Sequence, residues 1–322
     1  MVKRDSIDIN NVLRETNFKN LGEKKIGKVR DIYTQKDRII LITTDRHSSF
    51  DRIIAHIPLK GEVLTKVSNF WFENTKDIIQ NHVIAIPDPR AVVAKRCKVI
   101  PIEVVVRGYI TGTTNTSLWT YYQDGEREFG HFTLPDGMAK NQKLDKLVLT
   151  PTTKSDEHDE AITMSQIVKQ GLVEKDLLLE IEKLALKLFK RGQDIALKKG
   201  FILVDTKYEF GIDDNNKLVL IDEIHTPDSS RYWKMDSYQE RFDAGLEPES
   251  FDKEFLRLWF KENSNPYDDE TLPDAPKEMV EELSKRYIEI CEKLTGDTFV
   301  NDDAPILERL EQNLLPYTIA YE

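Results

Sequence analysis

A chain of 322 residues that is 39% hydrophobic and 32% charged is too long for one small core and reads as two or three domains. Its formal charge of −11 repels phosphate backbones, and its basic residues are scattered, which together exclude a nucleic-acid partner. Cys97 and Cys291 lie far apart without metal-ligand spacing, no apolar run reaches about 18 residues, and MVKRDSIDIN lacks an apolar leader core; a soluble cytoplasmic protein with two reduced thiols and no membrane contact is expected.

Residues 8–20 predict a short lead-in helix. The following stretch, Gly22–Tyr33, nearly spells a P-loop, but Val29 stands where a metal-binding hydroxyl is needed and no long helix follows. It reads instead as a strand–strand unit. There Gly27 lets backbone approach phosphates, and Lys28 and Arg30, two apart on a strand, project towards them from one face. Residues 38–44 form a buried strand, and 45–52 (DRHSSFDR) a polar loop. Residues 62–82 are helical, with Val63, Val67, Phe70, Trp71 and Ile78 as a core stripe. Two apolar runs fill 91–106, where Pro101 marks a crossing between domains rather than a central strand.

Arg107-Gly108-Tyr109-Ile110-Thr111-Gly112-Thr113 puts an arginine at a strand end before a small-residue loop, a pattern that suits an anion or a plain turn equally well, and a helix follows around 117–123. Leu149–Glu160, dense in Thr, Lys and Asp, is a loop; His158 in it could be a base or a simple hydrogen-bonding partner. No hydrolase triad spacing or HExxH motif is present. Residues 174–199 carry an apolar stripe with a basic last turn and a glycine stop, the clearest helix of the chain.

Residues 201–233 form the centre of the argument. Two apolar runs flank Asp213-Asp214-Asn215-Asn216, which predicts a hairpin with a four-residue loop. Alternation puts Asp205, Lys207 and Glu209 on one face. If Ile212 pairs with Lys217, Glu209 stands opposite Leu220 and Lys207 opposite Asp222. Carboxylates ~5 Å apart repel by about 3 kcal/mol at an effective dielectric of ~20, so such a face needs a counter-ion. Glu209 and Asp222 would be diagonal neighbours at roughly 7–8 Å, able to hold one Mg²⁺ between them, whereas Asp205 is about 13 Å from Glu209 along the strand. Lys207 beside them could neutralise a phosphate oxygen. A solvated strand face of alternating charge is the plain alternative, and a one-residue slip would present Glu223 instead of Asp222. The loop His225–Arg231, with Ser229, Ser230 and Arg231, adds hydroxyls and a guanidinium suited to phosphate or carboxylate. Beyond Trp233, residues 249–262 and 276–294 are amphipathic helices. The expected domains are 1–99, 100–235 and a helical extension over 236–322.

Five motifs in order, GKVRDIY (27–33), EVVVRGYITGT (103–113), PTTKSDEHDE (151–160), DTKYEFG (205–211) and DEIHTPDSSRYW (222–233), resemble the phosphoribosylaminoimidazole-succinocarboxamide synthase (SAICAR synthetase) family over about two-thirds of the chain. The length and C-terminal helices look more like its longer, yeast-like branch. The resemblance implies an α+β fold of two domains, related to ATP-grasp and kinase-like folds, with ATP in a cleft between them. It implies a C–N ligase that joins the carboxylated aminoimidazole ribotide CAIR to L-aspartate with ATP and Mg²⁺. By the same resemblance Lys28 and Arg30 hold ATP phosphates, and Glu209 and Asp222 hold Mg²⁺. Arg107, Thr113 and Arg231 grip the CAIR phosphate and carboxylate, and Lys154, Asp159, Asp205 and Lys207 line the aspartate and CAIR side. Asp205 or Asp159 is the expected proton acceptor. Thr113 stands for the family's usual Ser, and Thr152-Thr153 for Ser-Thr. A monomer or small homo-oligomer is expected. Two rivals remain: a small-molecule kinase, since Asp205-x-Lys207 resembles the DxK element of inositol-phosphate kinases, and a nucleotide-binding regulator without turnover.

Overall fold

A computed structural model describes residues 7–154, 160–300 and 304–319. Its contacts part the chain into two units, residues 1–70, 82–97 and 259–322 in one, residues 71–81 and 98–258 in the other. The expected extension over 236–322 is therefore divided, its first part with the second unit and its remainder with the first.

The first unit begins with β1 (Glu23–Ile26), β2 (Arg30–Thr34), β3 (Arg38–Thr43), β4 (Arg46–Ser49), β5 (Arg52–His56), α1 (Lys60–Thr75), β6 (Val83–Asp88) and β7 (Ala91–Lys95). Its antiparallel sheet runs β1-β2-β3-β7-β6. The lead-in over 8–20 is not a helix. Buried carboxylates capture its backbone instead, Asp45 Oδ2 taking Leu13 N at 2.7 Å and Asp31 Oδ2 taking Thr16 N at 2.6 Å. The expected loop over 45–52 is a hairpin, β4–β5, turning on Phe50 (φ 54°) and Asp51 (φ 57°), the left-handed pair that two-residue hairpin turns demand. The helix expected over 62–82 ends at Thr75.

The second unit contains β8 (Lys98–Ile110), α2 (Leu118–Gln123), β9 (Gln142–Leu149), β10 (Thr152–Thr153), α3 (Met164–Lys169), α4 (Lys175–Lys198), β11 (Phe201–Ile212), β12 (Leu218–Ile221), β13 (Ser230–Lys234), α5 (Met235–Asp243) and the start of α6 (Glu254–Asn263). β8 and β11 are its centre, with β10 beyond β8, β12 beyond β11, and β9 and β13 pairing with β8 and β11 respectively. Pro101 lies inside β8, not at a crossing. The β8–β11 register shifts between Glu209 and Gly211, opposite this proline, so the missing N–H falls at a bulge. α4 buries Leu178, Ile181, Ala185, Leu188 and Phe189, the stripe read from the sequence.

α7 (Lys277–Thr295) and α8 (Ile306–Leu314) belong to the first unit. Leu310 and Leu314 join Tyr33, Ile40, Ile42 and Val93 in its core. Arg309 reaches Glu62 at 2.7 Å and Asp88 at 3.0 Å, a buried ion network that fixes the end of the chain to α1 and β6. Among the described residues no helix is long and apolar enough to cross a membrane.

Candidate active site

On β8 and β11, Arg107 stands opposite Asp205, Val105 opposite Lys207 and Glu103 opposite Glu209. Opposed residues share a face, so one side of this sheet collects Glu103, Arg107, Asp205, Lys207 and Glu209. Asp205 is buried, and its Oδ2 accepts from Arg107 Nη1 at 3.2 Å and from Arg231 Nη1 at 2.6 Å. Arg231 comes from β13, which places it directly across from Asp205. Its Nε lies 3.5 Å from Glu254 Oε2, at the start of α6. Burial opposes the Arg231 charge, but Asp205, Glu254 and Asp252 outweigh it and hold the guanidinium above its ordinary pKa. For Arg107 burial prevails over Asp205 and depresses the pKa.

Further along the same face, Lys207 Nζ donates to Glu103 Oε1 and to Glu209 Oε1, each at 2.6 Å. Lys154 Nζ ion-pairs with the other Glu209 oxygen. Burial again opposes the Lys207 charge, but Glu103, Asp222 and Glu223 lift its pKa above the ordinary value.

The hairpin register is one residue off the expectation. Ile212 pairs with Leu218 and Glu209 with Ile221, because Asp213 N bonds Lys217 O and the loop takes in Lys217. Strict alternation would then turn Asp222 to the other face. β12, however, ends at Ile221 and Asp222 adopts a left-handed backbone (φ 65°), and both its carboxylate and that of Glu223 act electrostatically on Lys207. Glu209, by a hydrogen bond, and Asp222, electrostatically, therefore both act on Lys207.

The remaining expected residues divide as follows. Arg107, Asp205, Lys207, Ser229, Ser230 and Arg231 line one open cleft. The Thr113 hydroxyl lies against Glu254, and Ser230 Oγ is 2.7 Å from Thr206 Oγ1. Gly27 and Lys28 lie in the β1–β2 turn of the first unit, and Arg30 opens β2, so Lys28 and Arg30 do not share a strand face as expected. Gly27 is needed for the turn itself: a Cβ there would sit 2.9 Å from Arg30 O. Lys28 Nζ pairs with Asp51 Oδ1 at 2.8 Å, with both side chains about half exposed. Asp159 and His158 lie outside the described residues.

Sequence reasoning passed over Glu103, Asp252, Lys253, Glu254 and Arg257. Glu103 had a signal, since it stands four residues before Arg107 on one strand and therefore on the same face. Arg257 lies in the first turn of α6, and Lys253 immediately precedes that helix.

Among the described residues no three His, Cys, Asp or Glu side chains gather as a metal site. Mg²⁺ needs less than that, one or two carboxylates with the rest of its shell from phosphates and water. Glu209 and Asp222 are hard oxygen donors within one cluster, and two lysines currently neutralise it, so the donor set fits a cation that arrives with a nucleotide.

The sequence profile described as SAICAR synthetase matches residues 23–273. A Legionella pneumophila (strain Paris) protein named phosphoribosylaminoimidazole-succinocarboxamide synthase is 54% identical over 295 residues, 91% of this chain and 95% of that one. Among solved structures, the SAICAR synthase of Saccharomyces cerevisiae complexed with SAICAR superposes with a TM-score of 0.77 at 34% identity, covering 90% of this chain and all 100% of the other. A type-2 SAICAR synthetase in complex with ADP gives 0.66 at 26% identity, covering 87% and 100%. With this α+β architecture and this extent of match, the chain belongs to the SAICAR synthetase family.

Proposed function

We propose that this chain is the ATP-dependent ligase that condenses CAIR with L-aspartate to give SAICAR, ADP and phosphate in purine biosynthesis. One observation carries the reading: a single sheet face presents two arginines on a shared carboxylate beside two lysines on a shared glutamate. The first group suits the anionic ends of a ribotide substrate, the second suits phosphoryl transfer.

A carboxylate is a poor acyl donor at neutral pH. Phosphorylation of the CAIR carboxylate by ATP makes an acyl phosphate, and the aspartate amine then attacks the carbonyl carbon while phosphate leaves. Lys207 and Lys154 stabilise charge on the transferring group. Glu209 and Asp222 would hold Mg²⁺, which when bound neutralises charge on the phosphates. Lys28 and Arg30 take ATP phosphates. Arg107, Arg231, Thr113, Ser229 and Ser230 bind CAIR. Asp205 holds both arginines in register, a positioning role its occupied Oδ2 supports better than proton transfer, which leaves Asp159 as the acceptor for the amine proton. The cytoplasm is the place of action, in keeping with Cys97 and Cys291 standing as thiols and not as a disulfide, buried Cys291 with its pKa pushed up to about 12.

The test is ADP release with CAIR alone, aspartate alone, and both. The ligase releases ADP only when both are present. Release with one substrate makes the protein a kinase, and none with both overturns the reading.

A further inference from the structure

β12 ends at Ile221 and β13 begins at Ser230, and the loop between them carries groups that the strands do not supply. Asp222 and Glu223 act electrostatically on Lys207, and Pro227, Asp228 and Ser229 line the cleft. Two of its residues, Asp222 (φ 65°) and His225 (φ 48°), hold left-handed backbone. A residue other than glycine stays there only where its surroundings over-determine it.

The surroundings that do so lie behind the sheet. Alternation along β11 puts Lys207 and Glu209 on the site face and Tyr208, between them, on the other. Tyr208 and His225 are both fully buried, and Tyr208 Oη lies 2.5 Å from His225 Nε2. Tyr232, on β13, donates from Oη to the His225 carbonyl at 2.6 Å. Trp71 meets the His225 ring edge-on at 4.8 Å. α4 closes over the same ring at Gly192, where a Cβ would lie 2.4 Å from His225 Cε1 and 2.7 Å from Nδ1. That Nδ1 has no hydrogen-bond partner among the described residues, so Tyr208 holds the ring's one hydrogen bond there. On the cleft side, Lys207 N donates to Ser229 O at 3.0 Å, and the Thr226 hydroxyl accepts from Asp228 N at 3.2 Å and Ser229 N at 3.3 Å. One strand residue thus anchors, from behind, the loop that returns to the two site residues on either side of it.

We infer that Tyr208 and His225 are a positioning pair for the substrate site: their hydrogen bond sets the path of the loop over 222–229 and so the placing of Ser229, Ser230 and Arg231 towards CAIR. The choice of substrate rests on the ligase reading above. The anchoring itself does not, because it is read from the loop amides.

Tyr208→Phe removes the hydroxyl and keeps the ring, so it tests the bond with little change of volume. Hydrogen exchange followed by mass spectrometry then shows the amides of Lys207, Asp228 and Ser229 exchanging at least about threefold faster than in the wild type, with β3 and β7 unchanged. In turnover, KM for CAIR rises about 3- to 10-fold, the worth of one ordinary hydrogen bond, while KM for L-aspartate moves less than about twofold. His225→Gln, whose amide can still meet the Tyr208 hydroxyl, stays closer to wild type than His225→Leu. The double variant Tyr208→Phe/His225→Leu is no worse than the worse single one, as two halves of one interaction require. Unchanged loop exchange in Tyr208→Phe overturns the inference, as do equal rises in KM for both substrates, equal losses in the glutamine and leucine variants, or additive losses in the double variant. If His225→Leu fails to fold, Tyr208→Phe carries the exchange and KM readouts alone. If the wild type makes no SAICAR, the ligase reading falls, and the exchange of the three amides still decides whether Tyr208 anchors the loop.

Discussion

Glu103 faces Glu209 directly across the β8–β11 pairing, and one ammonium, Lys207 Nζ, lies 2.6 Å from a carboxylate oxygen of each. Like charges directly opposed destabilise a sheet. Lys207 converts that repulsion into two charge-assisted hydrogen bonds. Lys207→Met therefore removes the ammonium between two facing carboxylates and leaves Lys154 on Glu209. The expected loss is roughly 1–3 kcal/mol, less than for a fully buried pair because Lys207 keeps some solvent contact. Urea midpoints measure it. Added Mg²⁺ raises the midpoint of the variant more than that of the wild type, since the cation takes the place of the missing ammonium. Equal responses would remove this cluster from the metal assignment.

Asp205→Asn keeps the shape but gives Arg107 and Arg231 a neutral partner. With two guanidiniums freed from their shared carboxylate, KM for CAIR rises about 10- to 100-fold. Turnover at saturating CAIR and aspartate checks the positioning role: kcat should stay within about threefold of wild type, whereas a fall of roughly 10²–10⁴ would make Asp205 the proton acceptor instead.

Gly112 has φ 111°, and a Cβ there would lie 2.4 Å from Ser117 Cβ and 3.0 Å from Arg231 Nη2. Gly112→Ala should cost on the order of 1–3 kcal/mol of stability from backbone strain. It should also raise KM for CAIR, because the added Cβ crowds Nη2 of Arg231, a guanidinium assigned to that substrate. A thermal scan and a CAIR titration check both; a variant with wild-type KM would separate Arg231 from substrate binding.

His225 sits behind the site loop, its Nε2 2.5 Å from Tyr208 Oη and its ring edge-on to Trp71. Burial lowers its pKa from 6.5 to about 3. The unfolded chain takes up this proton near 6.5 while the folded protein refuses it until about 3. The stability that neutral His225 contributes is thus complete above pH 6.5 and is lost as pH falls towards 3, by up to about 1.4 kcal/mol per pH unit. His225→Leu should flatten the acid limb of the stability–pH curve relative to wild type. Parallel curves would mean the folded protein protonates His225 at its ordinary pKa.

The elements legible in the sequence were those with a strong single period. α4 shows its apolar stripe, and β3, β8 and β11 show their buried runs. The sheet face carrying Asp205, Lys207 and Glu209 follows from alternation alone. Features set by tertiary contacts were not legible. The lead-in segment is extended because Asp31 and Asp45, far along the chain, hold its amides. Asp222 rejoins the lysine cluster through a left-handed residue that no hydrophobic pattern encodes. The hairpin at Phe50-Asp51 lacks the Asn-Gly signature that normally announces such a turn. Arg257 enters the cleft from a helix whose sequence reads only as amphipathic.

The central claim is that this sheet face activates a substrate carboxylate by phosphoryl transfer before an amine displaces phosphate. CAIR labelled with ¹⁸O in its carboxylate tests it directly, by mass spectrometry of the phosphate released during turnover with ATP and L-aspartate. The account predicts one carboxylate oxygen in each phosphate, because the bond that breaks in the second step is carbon to oxygen. Phosphate free of ¹⁸O would contradict it.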